Sequence, residues 1–131
     1  MINDTISDML TRIRNANLIQ SKNVFVLNTK TNQSISKLLQ KQGYIESVNI
    51  SSNNFDPIKI TLKYNTNSKK SCITNLKRLS SPGLRIYSSY KKIPRILNGM
   101  GTIIISTSKG LMTDHEARNN KLGGEILFSI W

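Results

Sequence analysis

The sequence predicts an α+β protein with two small domains, an N-terminal αβαββ unit and a C-terminal unit that is mostly β with one short helix. Helical apolar spacing dominates the beginning of the chain, whereas alternating or continuous apolar stretches of strand length dominate its second half. A polar stretch at residues 64–71 has no apolar residue between its ends and marks a linker. A chain of 131 residues has room for one domain or two small ones, so we predict domains at 1–65 and 66–131.

The first half begins with a helix whose apolar stripe is Ile6, Met9, Leu10, Ile13 and Ala16. Asn3 or Asp4 can cap it, or Thr5 and Asp8 can form a capping box one residue later. A strand at 24–27 and a helix from about Asn32 to Gly43 follow, because glycine commonly ends helices. Strands at 44–50 and 58–64 flank a polar turn at 51–54, and the second of them turns Lys59 and Lys63 outward.

The second half contains predicted strands at 72–79, 84–87, 102–106 and 125–131. Ser81-Pro82-Gly83 forms the first turn, and Leu84 and Ile86 are expected to face inward, with Arg85 and Tyr87 outward. A short helix begins at Thr113, whose spacing to Glu116 fits a capping box, and ends before Gly123 and Gly124. We expect Cys72, in its strand, to be a small buried hydrophobe.

The charge of the chain is strongly positive and unevenly distributed. The chain contains 19 Lys and Arg residues and seven Asp and Glu residues, which gives a net charge of +12. Residues 1–65 carry +4 of this charge and residues 66–131 carry +8. No acidic residue occurs between Asp56 and Asp114. Such a run is more than solubility requires and attracts polyanions, so a nucleic acid is the favoured partner. A membrane surface is disfavoured, because these cations do not follow an amphipathic helix.

Several other classes are excluded or disfavoured by composition. The longest uncharged apolar run is only Ile103 to Ile105, and Asp4 and Asp8 argue against a leader segment. A single cysteine excludes an internal disulfide and a cysteine-rich zinc site. Asp114, His115 and Glu116 diverge by about 100° each on a helix, so they are expected on the surface rather than around a metal. We therefore predict no enzyme, cofactor, metal or small-molecule substrate.

The strongest candidate contact segment is Ser106-Thr107-Ser108-Lys109-Gly110, a turn at the end of an apolar strand. Each hydroxyl group can donate and accept a hydrogen bond, and ribose 2′-hydroxyl groups would distinguish RNA from DNA. Lys109 adds a cation for phosphate, and Gly110 allows a close backbone approach. An ordinary polar hairpin turn is an equally good interpretation of composition alone, and the segment does not have the order of a Walker loop.

Two further side chains are candidates for selective contact. Tyr87, outward beside Arg85, could stack on an unpaired base or a sugar, whereas core packing is the better interpretation for Tyr44 and Tyr64. Glu125 could accept from base amino groups, although an internal salt bridge with a strand lysine is comparably plausible.

Four ordered segments resemble the family of protein eight of the small ribosomal subunit, and the similarity extends from end to end. They are residues 8–15 (DMLTRIRN), 81–87 (SPGLRIY), 106–114 (with STSKG and MTD) and 123–126 (GGEI). The resemblance implies two α/β domains, direct binding to the central domain of small-subunit rRNA, early assembly of the platform and body, and neighbouring ribosomal proteins as partners.

The resemblance also implies which residues contact the rRNA. By position these are Ser106, Thr107, Ser108, Tyr87 and Glu125 in the second domain, with weaker contacts near Thr5 and Lys30 in the first. The sequence departs from the family at Ser81, where arginine is usual, and at Lys121, where glycine is usual.

The terminal segments (IPRIL at 93–97, GMG at 99–101 and the final Ile130-Trp131) resemble the plastid-encoded branch of this family. The 13 Lys, 15 Asn and 18 Ile fit an AT-rich genome, and an AT-rich bacterium is the alternative source. Two other functions stay open. One is a free regulatory protein that binds an mRNA mimic of the rRNA site, and the other, much less favoured, is a metal-dependent nuclease using His115 or Glu116.

Overall fold

Two compact units divide the chain, one over Thr5–Thr74 and the other over Asn75–Trp131. The computed structural model describes residues 5–53, 55–65, 67 and 70–131. The two ends of the predicted linker at 64–71 lie together in the first unit, where Tyr64 pairs with Ser71 and the Asn65 N–H donates to the Lys70 carbonyl at 2.8 Å. The units therefore divide later in the chain than the predicted boundary between residues 65 and 66.

The first unit has the predicted αβαββ order. It contains α1 (Thr5–Leu18), β1 (Asn23–Val26), α2 (Lys30–Lys41), β2 (Ile45–Asn49) and β3 (Ile58–Leu62). The antiparallel sheet has the order β1-β3-β2. The predicted caps Asn3 and Asp4, and Asn54 of the predicted turn, lie outside the described residues.

Amphipathic patterning explains how this unit packs. The predicted stripe of α1 is confirmed, since Met9, Leu10, Ile13 and Ala16 are buried and Ile6 is half-buried. β3 alternates as predicted, with three buried apolar residues separated by Lys59 and Thr61 on the outer face. α1 contacts β1 and α2 contacts β2, so both helices bury their apolar faces against the sheet. Each fully buried aliphatic side chain contributes about 1.5–3 kcal/mol.

The second unit is mostly β with one short α-helix among its described residues, as predicted. It contains β4 (Leu76–Arg78), β5 (Tyr87–Ser88), β6 (Thr102–Thr107), β7 (Gly110–Thr113), α3 (Asp114–Asn119) and β8 (Gly124–Ile130). Short 3₁₀ turns at Tyr90–Lys92 and Leu97–Gly99 lie between β5 and β6. The sheet order is β4-β8-β6-β7, and β5 pairs with β8 beside β4. β7 was not predicted, because its four residues combine a turn glycine with a helix cap.

One hydrophobic cluster of the second unit joins β6, β7 and β8 to α3 and to the segment before β6. Its buried members are Ile93, Ile103, Ile105, Met112, Ala117 and Ile126. A bulge between Ile104 and Ile105 shifts the register of β6 against β8. β6 is buried on both faces up to Ile105 and becomes half-buried at Ser106 and Thr107. The central strands therefore reach the surface at one end, which is where the candidate contact residues lie.

Three predictions for the second half of the chain are wrong. The predicted strand 72–79 shortens to β4. Cys72 is exposed rather than buried, and its N–H donates to the Lys63 carbonyl of the first unit at 3.0 Å. Leu84 is 68% exposed and Ile86 38% exposed, so the predicted inward alternation fails. Leu84 closes the turn back onto Ser81, which keeps this part of the chain out of the sheet.

Asp114 is also placed differently from the prediction of a surface residue. It is fully buried, its Oδ1 accepts from the Ile103 N–H at 3.2 Å, and its Oδ2 lies 2.8 Å from Nη1 of Arg118. A carboxylate can be buried here because Oδ1 accepts a hydrogen bond from the backbone and the Arg118 guanidinium supplies the counter-charge beside Oδ2. His115, one residue along the helix, is about half-exposed, and its Nε2 lies 3.9 Å from Oδ1 of Asp114.

All described α-helices end at a residue in the left-handed conformation. The residue is Gly43 for α2, as predicted, but Gln20 for α1 and Lys121 for α3, with φ of +57° and +56°. In each case the next N–H returns to a helix carbonyl, as Leu122 does to Ala117 at 2.9 Å. This is the Schellman arrangement, in which glycine is preferred because a Cβ is strained there. Lys121, one of the two departures from the resembled family, thus lies at a left-handed helix end.

Replacing Lys121 by Gly is expected to raise the free energy of unfolding by about 0.5–1 kcal/mol, since it removes Cβ strain at positive φ. The measurement is urea unfolding of the full chain. Lys121→Ala is the control, because it removes the charge and keeps the Cβ. An equal gain for both variants would mean that the charge, and not the backbone conformation, is what destabilises this position.

No helix in the described ranges is long and apolar enough to cross a membrane.

Candidate nucleic-acid interface

The register of the second sheet brings three predicted contact residues into one line, which we call the contact row: Tyr87, Glu125 and Ser106. Tyr87 pairs with Glu125 across β5 and β8, and Glu125 pairs with Ser106 across β8 and β6. Directly opposed residues in antiparallel strands point to the same face, with Cβ atoms about 4.5–5.5 Å apart. An aromatic ring, a carboxylate and a hydroxyl group therefore lie side by side on one face of the sheet.

Each member of the contact row is accessible to a partner. Tyr87 is 66% exposed, and Ser106 and Glu125 are half-buried. Tyr87 faces outward as predicted, although the neighbouring residues Leu84 and Ile86 face outward too. Within the described part of the chain the Ser106 hydroxyl group has no hydrogen-bond partner, so it can serve an external one. The row offers stacking and hydrogen bonding together, which is how proteins read unpaired bases.

Two glycines allow the strands under the contact row to approach one another. A Cβ on Gly124 would clash with the Ser106 carbonyl group, lying 2.9 Å from its carbon, and would lie 3.1 Å from Cα of Thr107. A Cβ on Gly123 would lie 2.5 Å from the Ser88 carbonyl oxygen. Glycine within a strand often marks such a close backbone approach. These glycines thus allow the short distances between the backbone segments that carry the contact row.

The turn between β6 and β7 continues the site beyond the contact row. Thr107 pairs with Gly110, which leaves Ser108 and Lys109 as the two exposed residues at the tip. Gly110 has φ of +103°, a conformation that L side chains rarely adopt, so the glycine is required by the turn. The Ser108 hydroxyl group and the Lys109 ammonium group are directed to solvent.

Thr107 has a role inside the turn. Its hydroxyl oxygen accepts from the Lys109 N–H at 3.2 Å, and the hydroxyl group donates to the Gly110 carbonyl at 2.9 Å. Thr107 therefore fits the interpretation as an ordinary polar hairpin turn, whereas Ser106 and Ser108 keep free hydroxyl groups in the described structure. Of the three hydroxyl groups predicted to contact a partner, the geometry favours those of Ser106 and Ser108.

Glu125 has a cationic neighbour within the protein. Nη1 of Arg85 lies 4.0 Å from Oε1 of Glu125, at the outer limit of an ion pair. The partner is thus an arginine of the 81–87 segment and not the strand lysine considered from the sequence. The Arg85 side chain is half-exposed, so it screens the carboxylate while it can still reach a phosphate group.

The remaining predicted contacts lie in the first unit. Thr5 is the first residue of α1, and Lys30 is the first residue of α2, just after the capping Thr29. Lys30 is exposed and Thr5 is half-buried. The Tyr64 side chain is half-buried, its hydroxyl group donates to the Ser21 carbonyl, and burial raises the pKa of Tyr64. Tyr64 and the half-buried Tyr44 thus belong to the packing of the first unit.

No group of three or more His, Cys, Asp or Glu residues in the described part of the chain could hold a metal ion.

What sequence reasoning missed is the structural role of Gly123 and Gly124, although paired glycines before a strand were the available signal. It also missed the exposure of Leu84 and Ile86, because the alternation of apolar and polar residues predicted that both face inward.

The fold and the contact row define a class: a small, basic α+β protein whose second sheet carries an accessible aromatic, carboxylate and hydroxyl array suited to an unpaired nucleic acid. The family description "Ribosomal protein S8" matches residues 4–131. The chain belongs to this family. Small ribosomal subunit protein uS8c of Tupiella akineta is 67% identical over the full length of both chains. The proteins of the same name from Oltmannsiellopsis viridis and Marchantia polymorpha are 55% and 50% identical, again over all of both chains. The chain is thus a plastid-type member.

Proposed function

We propose that this chain is a structural component of the small ribosomal subunit in plastids, where it binds the central domain of small-subunit rRNA directly and supports assembly of the platform and body. Membership of the S8 family supports the ribosomal part of the proposal. The contact row supports the mode of binding, because its side chains suit the bases and sugars of an irregular RNA helix. Neighbouring small-subunit proteins complete the set of partners.

Charge and selectivity are divided between different residues in this proposal. The net charge of +12 attracts RNA and releases counterions, which makes affinity depend on salt. Selectivity comes from the free hydroxyl groups of Ser106 and Ser108, from the ring of Tyr87 and from the Glu125 carboxylate, which can accept from a base amino group. Arg85 and Lys109 add phosphate contacts beside them. Thr107 and Gly110 hold the turn, and Thr5 and Lys30 add weaker backbone contacts. The chain acts by binding and carries out no chemistry.

Replacing Ser106 and Ser108 together by Ala is expected to weaken binding to the isolated central-domain rRNA helix by about 2 kcal/mol, or roughly 30-fold. Two hydrogen bonds to RNA are lost, and the turn is kept because Thr107 is unchanged. The slope of log K against log salt should stay the same, since no phosphate contact is removed. Fluorescence anisotropy over a salt series measures both quantities. Ser34→Ala, at an exposed serine of α2, is the control.

An affinity within twofold of the unchanged protein would contradict the assignment of the contact row. A separate measurement tests the ribosomal assignment itself. In a sucrose gradient of plastid extract the chain should sediment with the small subunit and be released by ribonuclease. A chain found wholly outside ribosomal fractions would favour the free regulatory protein instead.

A further inference from the structure

A cationic segment follows the contact row along the chain, and the proposed function assigns no role to it. It consists of residues 90–95, which we call the basic segment. Lys91, Lys92 and Arg95 are exposed, whereas Ile93 is buried in the core and Tyr90 packs partly against it. The ammonium nitrogen of Lys91 lies 5.9 Å from the centre of the Tyr90 ring. The backbone of the segment is thus anchored while its three cations face solvent.

The Arg118 side chain of α3 fixes this segment to the rest of the unit. Nη2 of Arg118 donates to the carbonyl oxygens of Ile93 and Pro94 at 3.3 and 2.9 Å. Nη1 of the same guanidinium lies 2.8 Å from the fully buried Asp114 carboxylate. The Arg118 side chain is only 15% exposed. The planar guanidinium of Arg118 therefore joins α3 to the basic segment while it lies beside Asp114. A lysine has a single ammonium group and could not place donors at both positions with this geometry.

The basic segment begins where the contact row ends. Ser88 follows Tyr87 in β5 and pairs with Gly124, and the backbone of Ser89 and Tyr90 lies against Gly123. At a maximum of about 3.5 Å per residue, the Cα of Lys91 lies within about 14 Å of that of Tyr87. An RNA strand of a few nucleotides is long enough to span this distance. A strand bound at Tyr87 can thus reach Lys91 without a break.

We propose that the basic segment binds successive phosphate groups of the RNA strand that continues past the contact row, and that Arg118 positions it. The inference rests on the proposed function and adds a second surface to it. RNA fits better than an acidic protein, because the three cations project from one short segment without a large apolar surface between them. They also adjoin a row that already suits bases. The hydrogen bonds of Arg118 hold the backbone of the segment in place, which lowers the ordering cost when its cations bind.

The test is a salt series with the full chain and the central-domain rRNA helix, comparing the unchanged protein with the triple variant K91A/K92A/R95A. The slope of log K against log salt is expected to fall by about 2–3, since each phosphate contact contributes about 0.7–0.9. The control is K22A/K37A/K63A, which removes the same number of charges from exposed lysines of the first unit. It should change the slope by less than 1.

Arg118→Lys tests positioning, because it keeps a cation beside Asp114 and loses the planar guanidinium. We expect faster trypsin cleavage after Lys92 and Arg95 and an RNA affinity at least fivefold lower. The same substitution within K91A/K92A/R95A should change affinity less than twofold, because the cations that it positions are absent.

The outcomes separate the two proposals. If the unchanged protein shows no preference for the central-domain helix over an unrelated RNA duplex, the proposed function fails. If it binds selectively while the triple variant keeps its salt slope, or the control loses as much, the role of the basic segment is refuted and the proposed function stands. An effect of Arg118→Lys that is equal in both backgrounds would refute positioning.

Discussion

Replacing Gly124 by Ala is expected to lower the free energy of unfolding by about 2–3 kcal/mol and to weaken RNA binding more than the paired serine substitutions do. The added methyl group would meet the carbonyl group of Ser106 and lie 3.1 Å from Cα of Thr107. Both neighbours are backbone, so no side chain can rotate away. β6 and β8 would have to separate at the contact row.

The loss of binding follows from the position of the clash. Gly124 precedes Glu125, and Ser106 precedes Thr107, so a shift between these strands moves two members of the contact row at once. The third member, Tyr87, pairs with Glu125 and would move with it. A displacement of about 1 Å is enough to lose several hydrogen bonds, because these weaken steeply with distance and angle.

Gly83→Ala is the matched control for this prediction. Gly83 lies in the turn after Pro82, and a Cβ there would meet no atom within 4 Å. We expect its unfolding free energy and RNA affinity to stay close to those of the unchanged protein. Urea unfolding and fluorescence anisotropy measure the two effects. If Gly124→Ala is tolerated as well as Gly83→Ala, the close approach of β6 and β8 does not set the geometry of the row.

The helices and central strands could be predicted because each has a pattern with one physical meaning. The stripe of α1, the alternation of β3 and the capping box at Thr113 satisfy local geometry and burial together. Thr113 Oγ1 accepts from the Glu116 N–H at 3.3 Å, as the spacing indicated. Where local preference and tertiary packing agree, the sequence alone is sufficient.

The errors occur where tertiary contacts decide. Leu84 and Ile86 alternate like a strand, yet the hydrogen bonds of their neighbourhood go to Ser80, Ser81 and Ile126 in an irregular arrangement. No periodic pattern can reveal that. The burial of Asp114 depends on Ile103 and Arg118, and the first of these is eleven residues away along the chain. A charged residue is expected at the surface unless its partners are known.

The candidate site was predictable as a set of residues but not as an arrangement. Its members were named from hydroxyl chemistry, exposure and family resemblance, in segments 87, 106–110 and 125. Only the strand register shows that Tyr87, Glu125 and Ser106 form one row, because register depends on long-range pairing. Only the hydrogen bonds of the Thr107 hydroxyl group show that Thr107 stabilises the turn, whereas Ser106 and Ser108 have free hydroxyl groups in the described structure.

The buried pair of Asp114 and Arg118 gives the other large expected effect. Asp114→Ala should lower the free energy of unfolding by about 3–5 kcal/mol, because it leaves the Arg118 guanidinium buried without its counter-charge. It also removes the acceptor of the Ile103 N–H. The chain contains a matched comparison in α1, where Asp8 and Arg12 form a pair of the same i,i+4 spacing at 3.0 Å with both side chains about half-exposed.

Asp8→Ala should cost no more than about 0.5 kcal/mol, since solvent screens an exposed pair. Replacing both buried partners, as in D114L/R118M, should recover part of the loss of Asp114→Ala, because no unpaired charge then remains inside. Urea unfolding of the unchanged protein, D114L, R118M and D114L/R118M completes the double-mutant cycle and measures the coupling. An Asp114→Ala cost as small as that of Asp8→Ala would contradict the burial of this pair. It would also mean that Asp114 does not hold the Arg118 guanidinium that donates to the Ile93 and Pro94 carbonyl groups.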